Sequence, residues 1–440
     1  MSSRTRKIVL VGAGSAVFTA GLVRDMLSAG NLGRWSLGLV DIREEALETA
    51  LGLSHRLAQA FGANLAIEAS TDRREILPGA TEVVTTIAVG GRRAWELDIQ
   101  IPREFGIYQP VGDTVMPGGI SRALRMIPAL VDIARDVQAL CPQARMFNYA
   151  NPMTANCWAI RQVTEVPVVG LCHGVHDTIR SLARYLDVPP DAVTATYAGL
   201  NHLTFIYDLR YRGNDLLKPL VSRARADENP DSLANRNRFS FGLLQSYGAY
   251  PAVHDRHVTE FFPERFAEGS YYGQTLGIDV YPIGDTIAHG DETYATMRDQ
   301  AAGRTPLDPS LTRRTVGEHE QLVEILQAMD SDTGRLFSAN VPNRGAVPNL
   351  PDDAVLELPC VATSHGLRPV QLYDFPDVLA GIIARKLAAT RLTVAAALVG
   401  NRKLVVEAML ADGSVTDGGT AAALTDALLT AHREHLPQFA

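Results

Sequence analysis

Polar residues that can bind a metal or carry a proton follow several apolar segments of this sequence. Cys172 and His173 come directly after one apolar run, Asn151 follows another, and His202 borders a segment of alternating character. Open α/β sheets bind ligands at the carboxyl ends of their strands, so these side chains are predicted to meet at one sheet edge. A thiolate and an imidazole can hold a transition metal ion there. Taken singly, a small buried cysteine and a hydrogen-bonded core histidine are the ordinary alternatives.

A glycine-rich turn near the N-terminus predicts a dinucleotide site. Gly12 and Gly14 lie where an apolar run passes into a helical pattern, and backbone N–H groups at such a turn can hold a pyrophosphate. Asp41 ends the next apolar run, where a carboxylate accepts hydrogen bonds from ribose hydroxyls and repels the extra phosphate of NADP. Val17 stands where a third glycine is usual, which leaves a plain structural turn as the alternative. The predicted cofactor-binding residues are Gly12, Gly14, Ser15, Ala16, Val17, Phe18 and Asp41.

The alternation of apolar runs with helical patterns predicts the fold. The predicted strands cover residues 7–11, 37–40, 82–88, 144–149, 168–171 and 203–211. The predicted helices cover residues 16–27, 44–61, 121–140, 374–410 and 419–432. This order predicts an α/β protein with a Rossmann-like, doubly wound parallel sheet over residues 1–199, similar to that of lactate and malate dehydrogenases. Residues 200–440 are predicted to form a mixed α+β domain that contributes to the substrate and metal site and to oligomerisation.

The composition excludes several classes of protein. Hydrophobic residues make up 46% of the 440 residues and charged ones 20%, which is typical of a globular protein. The formal net charge of −8 and the lack of a lysine or arginine run argue against a nucleic-acid partner. No run reaches the roughly 18 apolar residues that a membrane span needs. The cysteines are too widely spaced for a disulfide framework, so we expect a cytoplasmic protein.

Six motifs, spread in order over most of the chain, carry a resemblance to a known family. They are VGAGSAVFT (11–19), GDTVMPGGISRALRMIP (112–128), NYANPM (148–153), VGLCHGV (169–175), AGLNH (198–202) and NLPDDAVLELPC (349–360). The sequence resembles glycoside hydrolase family 4, whose members use NAD and usually manganese. Its motifs are most similar to those of the α-galactosidase-like and α-glucosidase-like members of that family.

The resemblance implies glycoside cleavage by transient oxidation rather than by the usual pair of carboxylates. NAD takes a hydride from C3 of the sugar, the C2 hydrogen becomes acidic, and its loss expels the aglycone from C1. Water then adds and the hydride returns to C3. By motif position the resemblance implies that Cys172 and His202 bind the metal and that Asn151 contacts the sugar. Ligand softness favours zinc or iron for a thiolate and imidazole pair, so manganese rests on the resemblance.

Candidates for proton transfer lie in two segments, one around His173 and one around His254. His173 is the candidate acid for the leaving group, because imidazole holds a proton near neutral pH, and a helix-start residue bonded to a carbonyl is the alternative. Relatives that act on 6-phosphorylated sugars tend to carry Asp or Asn after the cysteine, so His173 favours an unphosphorylated glycoside. The resemblance implies that the base lies in the segment 248–261, where other members have an aspartate or tyrosine at the position of His254. This sequence departs from that pattern, so the base is His254 or, with a shift of one residue, Asp255, and His257 and Glu260 are close in sequence. A solvated turn is the alternative for this group.

Asp113 and Arg122, at the start of the long helix, are predicted to contact sugar hydroxyls or to order the outer shell of the metal, with a turn residue and a surface charge as alternatives. An α-glucuronide is a close variant of the substrate, because an arginine could pair with its carboxylate; the candidates are Arg92, Arg93, Arg256 and Arg344. The alternatives of other classes are an NAD-dependent sugar or hydroxy-acid dehydrogenase and a non-catalytic NAD-binding sensor. We expect a homodimer or homotetramer.

Overall fold

The structure is a computed structural model that describes residues 5–29, 34–313 and 321–440. The strands are β1 (Thr5–Val11), β2 (Arg34–Val40), β3 (Ala66–Ser70), β4 (Glu82–Thr85), β5 (Arg145–Asn148), β6 (Val168–Gly170), β7 (Val193–Leu200), β8 (Leu203–Tyr211), β9 (Asn214–Asp215), β10 (Tyr250–Pro251), β11 (Ser270–Tyr271), β12 (Gln274–Thr275), β13 (Leu336–Pro342), β14 (Val355–Thr363) and β15 (Gly366–Pro369).

The helices lie between and after these strands. They are α1 (Thr19–Ser28), α2 (Glu44–Ala60), α3 (Arg73–Ile76), α4 (Gly91–Glu104), α5 (Met116–Leu140), α6 (Met153–Val163), α7 (Gly174–Tyr185), α8 (Leu217–Ala226), α9 (Leu233–Arg236), α10 (Arg238–Tyr247), α11 (His254–Val258), α12 (Ile283–Ala301), α13 (Pro309–Thr312), α14 (Leu322–Asp330), α15 (Asp377–Val399), α16 (Arg402–Asp412) and α17 (Gly418–Ala431). Single 3₁₀ turns cover Pro190–Ala192, Thr259–Phe261, Pro263–Arg265, Ala267–Gly269, Arg433–His435 and Pro437–Phe439.

One large sheet organises the molecule. Its parallel part has the order β6-β5-β4-β1-β2-β3, in which the chain winds outward in both directions from the boundary between β1 and β4. This is the order of a doubly wound nucleotide-binding fold, and such folds bind their ligand where the winding direction reverses. The predicted Rossmann-like α/β fold is confirmed.

Antiparallel strands extend the sheet beyond β6. β13 pairs with β6, β14 with β13, β7 with β14, and β8 and β10 follow, while β15 and β9 attach to β14 and β8. The boundary that the sequence predicts at residue 199 falls inside β7, so the sheet is continuous across it. The division of the chain into two domains at that residue stays a prediction.

Burial explains why the central strands form. Ile8, Val9 and Leu10 are almost fully buried, because helices cover both faces of the parallel strands and an unbroken apolar run suits that position. A smaller apolar core lies between β7, β8, α8 and α10. Within the residues that the structure describes, no helix is both long and apolar enough to cross a membrane.

Two predicted helices differ from those observed. The first begins at Thr19 instead of residue 16, because the chain makes a turn after Gly14 before it becomes helical. The helix predicted over 374–410 is two helices, since Gly400 takes a φ of +65° and ends α15.

Candidate active site

The turn after β1 is held tightly against its neighbours. The amides of Gly12 and Ala13 both donate to the carbonyl of Val40, at 2.8 and 2.9 Å. Gly12 has a φ of +92°, and a Cβ there would lie 2.8 Å from the nitrogen of Ile87. Only glycine fits this conformation and this close approach. A turn of this kind lets a ligand contact the backbone at the reversal point of the sheet, which suits the pyrophosphate of a dinucleotide.

Asp41 lies at the end of β2 beside this turn. Its Oδ2 accepts the N–H of Gly14 at 2.8 Å, and its Oδ1 accepts the N–H of Arg43 at 3.0 Å. Val17 and Ile42 are 73% and 87% exposed next to it, an unusual exposure for apolar side chains. The predicted nucleotide residues Gly12 to Phe18 and Asp41 therefore come together at one turn, although Ser15, Ala16, Val17 and Phe18 precede the helix instead of opening it.

Three side chains from distant parts of the chain form a cluster with metal-ligand spacing. Asp113, His202 and His257 each offer one ligand atom, and these atoms lie within 4.8 Å of one another. Oδ1 of Asp113 is 3.7 Å from Nδ1 of His202 and 3.9 Å from Nδ1 of His257, and the two imidazole centroids are 4.1 Å apart. We call these three residues the Asp–His–His cluster.

The side chains around the cluster hold it in place. Thr114 Oγ1 donates to Oδ1 of Asp113 at 2.6 Å, and Asn151 Nδ2 donates to Oδ2 at 2.9 Å. Arg122 Nε donates to the carbonyl of Asn151 at 3.1 Å, and its guanidinium lies 5.5 Å from the ring of Trp95. Asn151, Asp113 and Arg122, which the sequence predicts as substrate-binding residues, are thus neighbours of one another and of His202.

The protonation states of the cluster suit a cation. Burial lowers the pKa of His202 and of His257, which keeps both imidazoles neutral. Burial raises the pKa of Asp113, but the positive charge of Arg122 and the hydrogen bond from Thr114 act against it, and that pKa stays below its ordinary value. A metal ion needs neutral imidazoles and an ionised carboxylate. Among the described residues, the buried Nδ1 of His257 has no hydrogen-bond partner, so the residues present fit a divalent ion.

Cys172 and His173 lie beside this cluster at the start of α7. The half-buried thiol of Cys172 accepts the N–H of Gly174 at 3.4 Å, and it is not a member of the Asp–His–His cluster. The side chain of His173 is 53% exposed and lies near His202 and His257. The pairing of Cys172 with His202 on one metal, and the acid role of His173, stay predictions.

The two candidate bases have different surroundings. Asp255 is fully buried, and its carboxylate accepts the N–H groups of Phe239 and Ser240, at 2.8 and 2.7 Å, and the hydroxyls of Ser240 and Tyr271. These bonds tie Asp255 to the first turn of α10. His254 is largely buried, its Nδ1 lies 2.8 Å from the hydroxyl of Tyr250, and burial lowers its pKa to about 4. The contacts therefore favour His254 over Asp255 as the base, and both assignments stay predictions.

Backbone strain concentrates in this region. His202, Val253 and His254 have φ values of 70°, 75° and 61°, a region that residues with side chains rarely adopt. Such strain persists only where the surrounding structure enforces it, and it is common at functional sites.

The arginines considered for an acidic sugar have different partners. Arg92 and Arg93 pair with Asp291 of α12, and Arg256, beside His257, donates to Thr286 at 2.9 Å. Arg344 lies in the loop after β13. Of the four, Arg256 is the one adjacent in sequence to the cluster.

The chain is similar to known proteins over most of its length. The family model described as "Family 4 glycosyl hydrolase" matches residues 7–188, and the model of that family's C-terminal domain matches residues 197–415. An α-galactosidase of Rhizobium meliloti is 31% identical over 451 residues, covering 99% of this chain and 90% of that protein. An α-glucosidase of Erwinia rhapontici is 32% identical over 442 residues, covering 92% of this chain and 93% of that protein.

A solved structure shares the fold across its whole length. The crystal structure of a 6-phospho-α-glucosidase from gut microorganisms, in complex with NAD and Mn²⁺, matches with a TM-score of 0.85 at 20% identity and covers 99% of this chain and 100% of that one. The two family matches together span most of the sequence, from the nucleotide turn through the Asp–His–His cluster. The chain therefore belongs to family 4 of the glycosyl hydrolases.

Proposed function

We propose that this glycosidase hydrolyses an unphosphorylated α-glycoside, such as an α-galactoside, α-glucoside or α-glucuronide, by transient oxidation at C3 of the sugar. NAD is proposed to bind at the Gly12 turn, and a divalent cation, with manganese as the first candidate, at the Asp–His–His cluster. Cys172 is kept as a proposed further ligand. Residues on both sides of position 199 contribute, since Gly12 and Asp113 precede it and His202 and His257 follow it.

One observation carries the proposal: the nucleotide turn and the metal-ligand cluster both contact the same short segment, residues 149–151. Phe18, in the turn, packs against Tyr149 with ring centroids 5.3 Å apart. Two residues later Asn151 donates to Asp113 of the cluster at 2.9 Å. A simple nucleotide sensor has no need of a cation site held this close to its cofactor turn, whereas a redox-assisted reaction on a sugar needs both.

The groups that bind here supply the chemistry that amino acids lack. When bound, NAD accepts and later returns the C3 hydride, and the cation draws electron density from the C2 and C3 oxygens, which makes the C2 hydrogen acidic. Asn151 and Arg122 are proposed to orient the ring by hydrogen bonds to its hydroxyls. The bond from Arg122 Nε to the main-chain carbonyl of Asn151, 3.1 Å long, limits the motion of the Arg122 side chain, and the bond from Asn151 Nδ2 to Asp113, 2.9 Å long, limits that of Asn151.

Proton transfer is assigned to two histidines, His254 at the start of α11 and His173 directly before α7. His254 is proposed to remove the C2 proton, because its neutral imidazole can accept one and Asp255 is engaged in α10. His173 is proposed to protonate the leaving oxygen, because its side chain remains accessible next to the cluster. When water adds at C1, His173 takes a proton from it and His254 returns its proton to C2, so both residues end the cycle as they began.

The substrate class is tested with a panel of nitrophenyl α- and β-glycosides of neutral, acidic and 6-phosphorylated sugars, supplied with NAD, Mn²⁺ and a thiol reductant. We expect nitrophenol release from an unphosphorylated α-glycoside, dependent on NAD, without accumulation of NADH. Steady NADH accumulation would identify a dehydrogenase instead. No nitrophenol release from any sugar would favour a non-catalytic NAD-binding sensor. Cleavage of the 6-phosphorylated sugars alone would contradict the proposed unphosphorylated substrate.

A further inference from the structure

Glu260 links two segments that each supply a member of the Asp–His–His cluster. It lies three residues after His257, in the 3₁₀ turn that continues α11, and is only 2% exposed. Its Oε1 accepts the N–H groups of both Val111 and Gly112 at 2.7 Å. The next residue along that loop is Asp113. The carboxylate of Glu260 therefore spans from the segment of His257 to the backbone that carries Asp113.

The loop before Asp113 is held from its other side as well. Trp95 Nε1 donates to the carbonyl of Val111 at 2.6 Å. Gly112 has a φ of +60°, and a Cβ there would lie 2.8 Å from Cγ1 of Ile99, so the loop lies close against α4. The peptide units at 111 and 112 thus have fixed partners, and the position of Asp113 follows from theirs.

From these contacts we propose that Glu260 is a positioning residue for the metal site: it sets the separation of Asp113 and His257 by holding the Asp113 loop to α11. The inference rests on the proposed function, because it assigns Glu260 to the cation site. Glu260 touches neither the cation nor the sugar in this assignment. Its effect reaches the site through the main chain of Val111 and Gly112.

A purely structural role for Glu260 predicts that its removal destabilises the fold as a whole. A positioning role predicts weaker metal binding in a protein that still folds. The carboxylate borders a cavity of about 140 Å³ that Tyr108, Phe266, Glu268 and Ser414 also line. If the side chain is removed, water from this cavity can reach the two N–H groups and satisfy them. The fold then survives. A water molecule is not part of the α11 segment and cannot hold the Asp113 loop to it, so the distance between Asp113 and His257 is no longer fixed. Loss of metal affinity without loss of fold is the signature of positioning.

The test measures Mn²⁺ binding to the full-length chain by calorimetry and by the electron paramagnetic resonance signal of free Mn²⁺. NAD affinity and melting temperature are measured on the same samples. For Glu260→Ala we expect Mn²⁺ affinity to fall about 10- to 100-fold while NAD still binds, the effect usual for a residue that orients a ligand. Glu260→Gln keeps an acceptor oxygen and is expected to restore most of the affinity. Glu268→Gln is the matched control, because Glu268 lines the same cavity and none of the hydrogen bonds described joins its carboxylate to the Asp113 loop.

The outcomes separate the inference from the proposed function. If native protein binds no divalent cation, the proposed metal site is wrong. If native protein and Glu260→Ala bind Mn²⁺ equally, or if Glu268→Gln weakens binding as much, the positioning role is wrong and the site stands. Should Glu260→Ala not fold, Glu260→Asp retracts the carboxylate by one methylene, and unchanged Mn²⁺ affinity in that variant overturns the inference.

Discussion

Thr114 Oγ1 lies 2.8 Å from Nδ1 of His202 and 2.6 Å from Oδ1 of Asp113. The hydroxyl has a single proton, and the carboxylate can only accept, so that proton is directed at Asp113. His202 must then donate its Nδ1–H to Thr114. This fixes the tautomer of His202, leaves the lone pair on Nε2, and makes Nε2 the atom that a cation would meet.

Thr114→Val should weaken metal binding, because an isosteric methyl group cannot accept the Nδ1–H of His202 or donate to Asp113. We expect Mn²⁺ affinity to fall about 10-fold or more, with NAD affinity little changed. Thr114→Ser, which keeps the hydroxyl, tests the same bond and should bind Mn²⁺ more tightly than the valine variant. Equal Mn²⁺ affinity in the two variants, measured by calorimetry, would show that the hydroxyl does not set the tautomer.

Asp41→Ala should lower NAD affinity by about 10-fold or more, because it removes both the acceptor of ribose hydroxyls and the partner of Gly14 N–H. It should also narrow the preference for NAD over NADP, since the repelling charge is lost. Fluorescence titration with each cofactor measures both effects. Asp72→Ala removes the carboxylate that follows the next strand and caps α3, and it serves as the control. A variant at Asp41 with native affinity for both cofactors would contradict the assignment.

The sequence predicted the parallel half of the fold well, because its signals are local. Five predicted strands overlap β1, β2, β4, β5 and β6, while the parallel strand β3 was not predicted. In the antiparallel extension the strand over 203–211 was predicted and is observed as β8, but β7, β13 and β14 were not, since nothing in β13 or β14 indicates which strand each will pair with. Pairing between β6 and β13 joins residues far apart in the chain and depends on packing, which a single sequence does not display.

The site was predicted in part for the same reason. Asn151 and His202 stood out because they border predicted strands, and Asp113 because a motif places it at the start of the long helix; the structure brings the three together. The place of His257 in the cluster was missed, although its segment was singled out, because a single helical turn decides which of His254, Asp255 and His257 faces the cluster. Periodicity cannot fix the phase of so short a helix. The capping bonds from α10 to Asp255 likewise have no local signal.

Glu357, in β14 beneath the site, should make stability depend on pH. Burial raises its pKa to about 7, and the hydroxyl of Thr204, which donates at 2.8 Å, only partly offsets this. Between the ordinary value of 4.5 and about 7, the folded chain keeps this proton and the unfolded chain has lost it. Raising the pH through that window therefore lowers the free energy of unfolding, by up to about 1.4 kcal/mol per pH unit from this group.

Glu357→Gln removes the titration and isolates this contribution. Urea unfolding of metal-free protein at several pH values should show the variant gaining stability relative to the native chain as pH rises from 5 to 8, with the difference levelling off above about 7. A difference that stays constant across that range would mean that Glu357 does not hold a proton in the folded state.

Substitutions at His254 and Asp255 should separate catalysis from folding. His254→Gln removes the proposed base at a position whose side chain bonds only Tyr250 among the hydrogen bonds described, so the protein should fold and bind NAD and Mn²⁺. It should lose the exchange of C2 hydrogen with deuterated solvent, followed by NMR of the sugar. Asp255→Asn disturbs the cap of α10 instead, and we expect it to lower the free energy of unfolding by about 1–3 kcal/mol while exchange persists in the folded fraction. If exchange continues at the native rate in His254→Gln but stops in well-folded Asp255→Asn, the roles are reversed. If it continues in both, the base lies elsewhere.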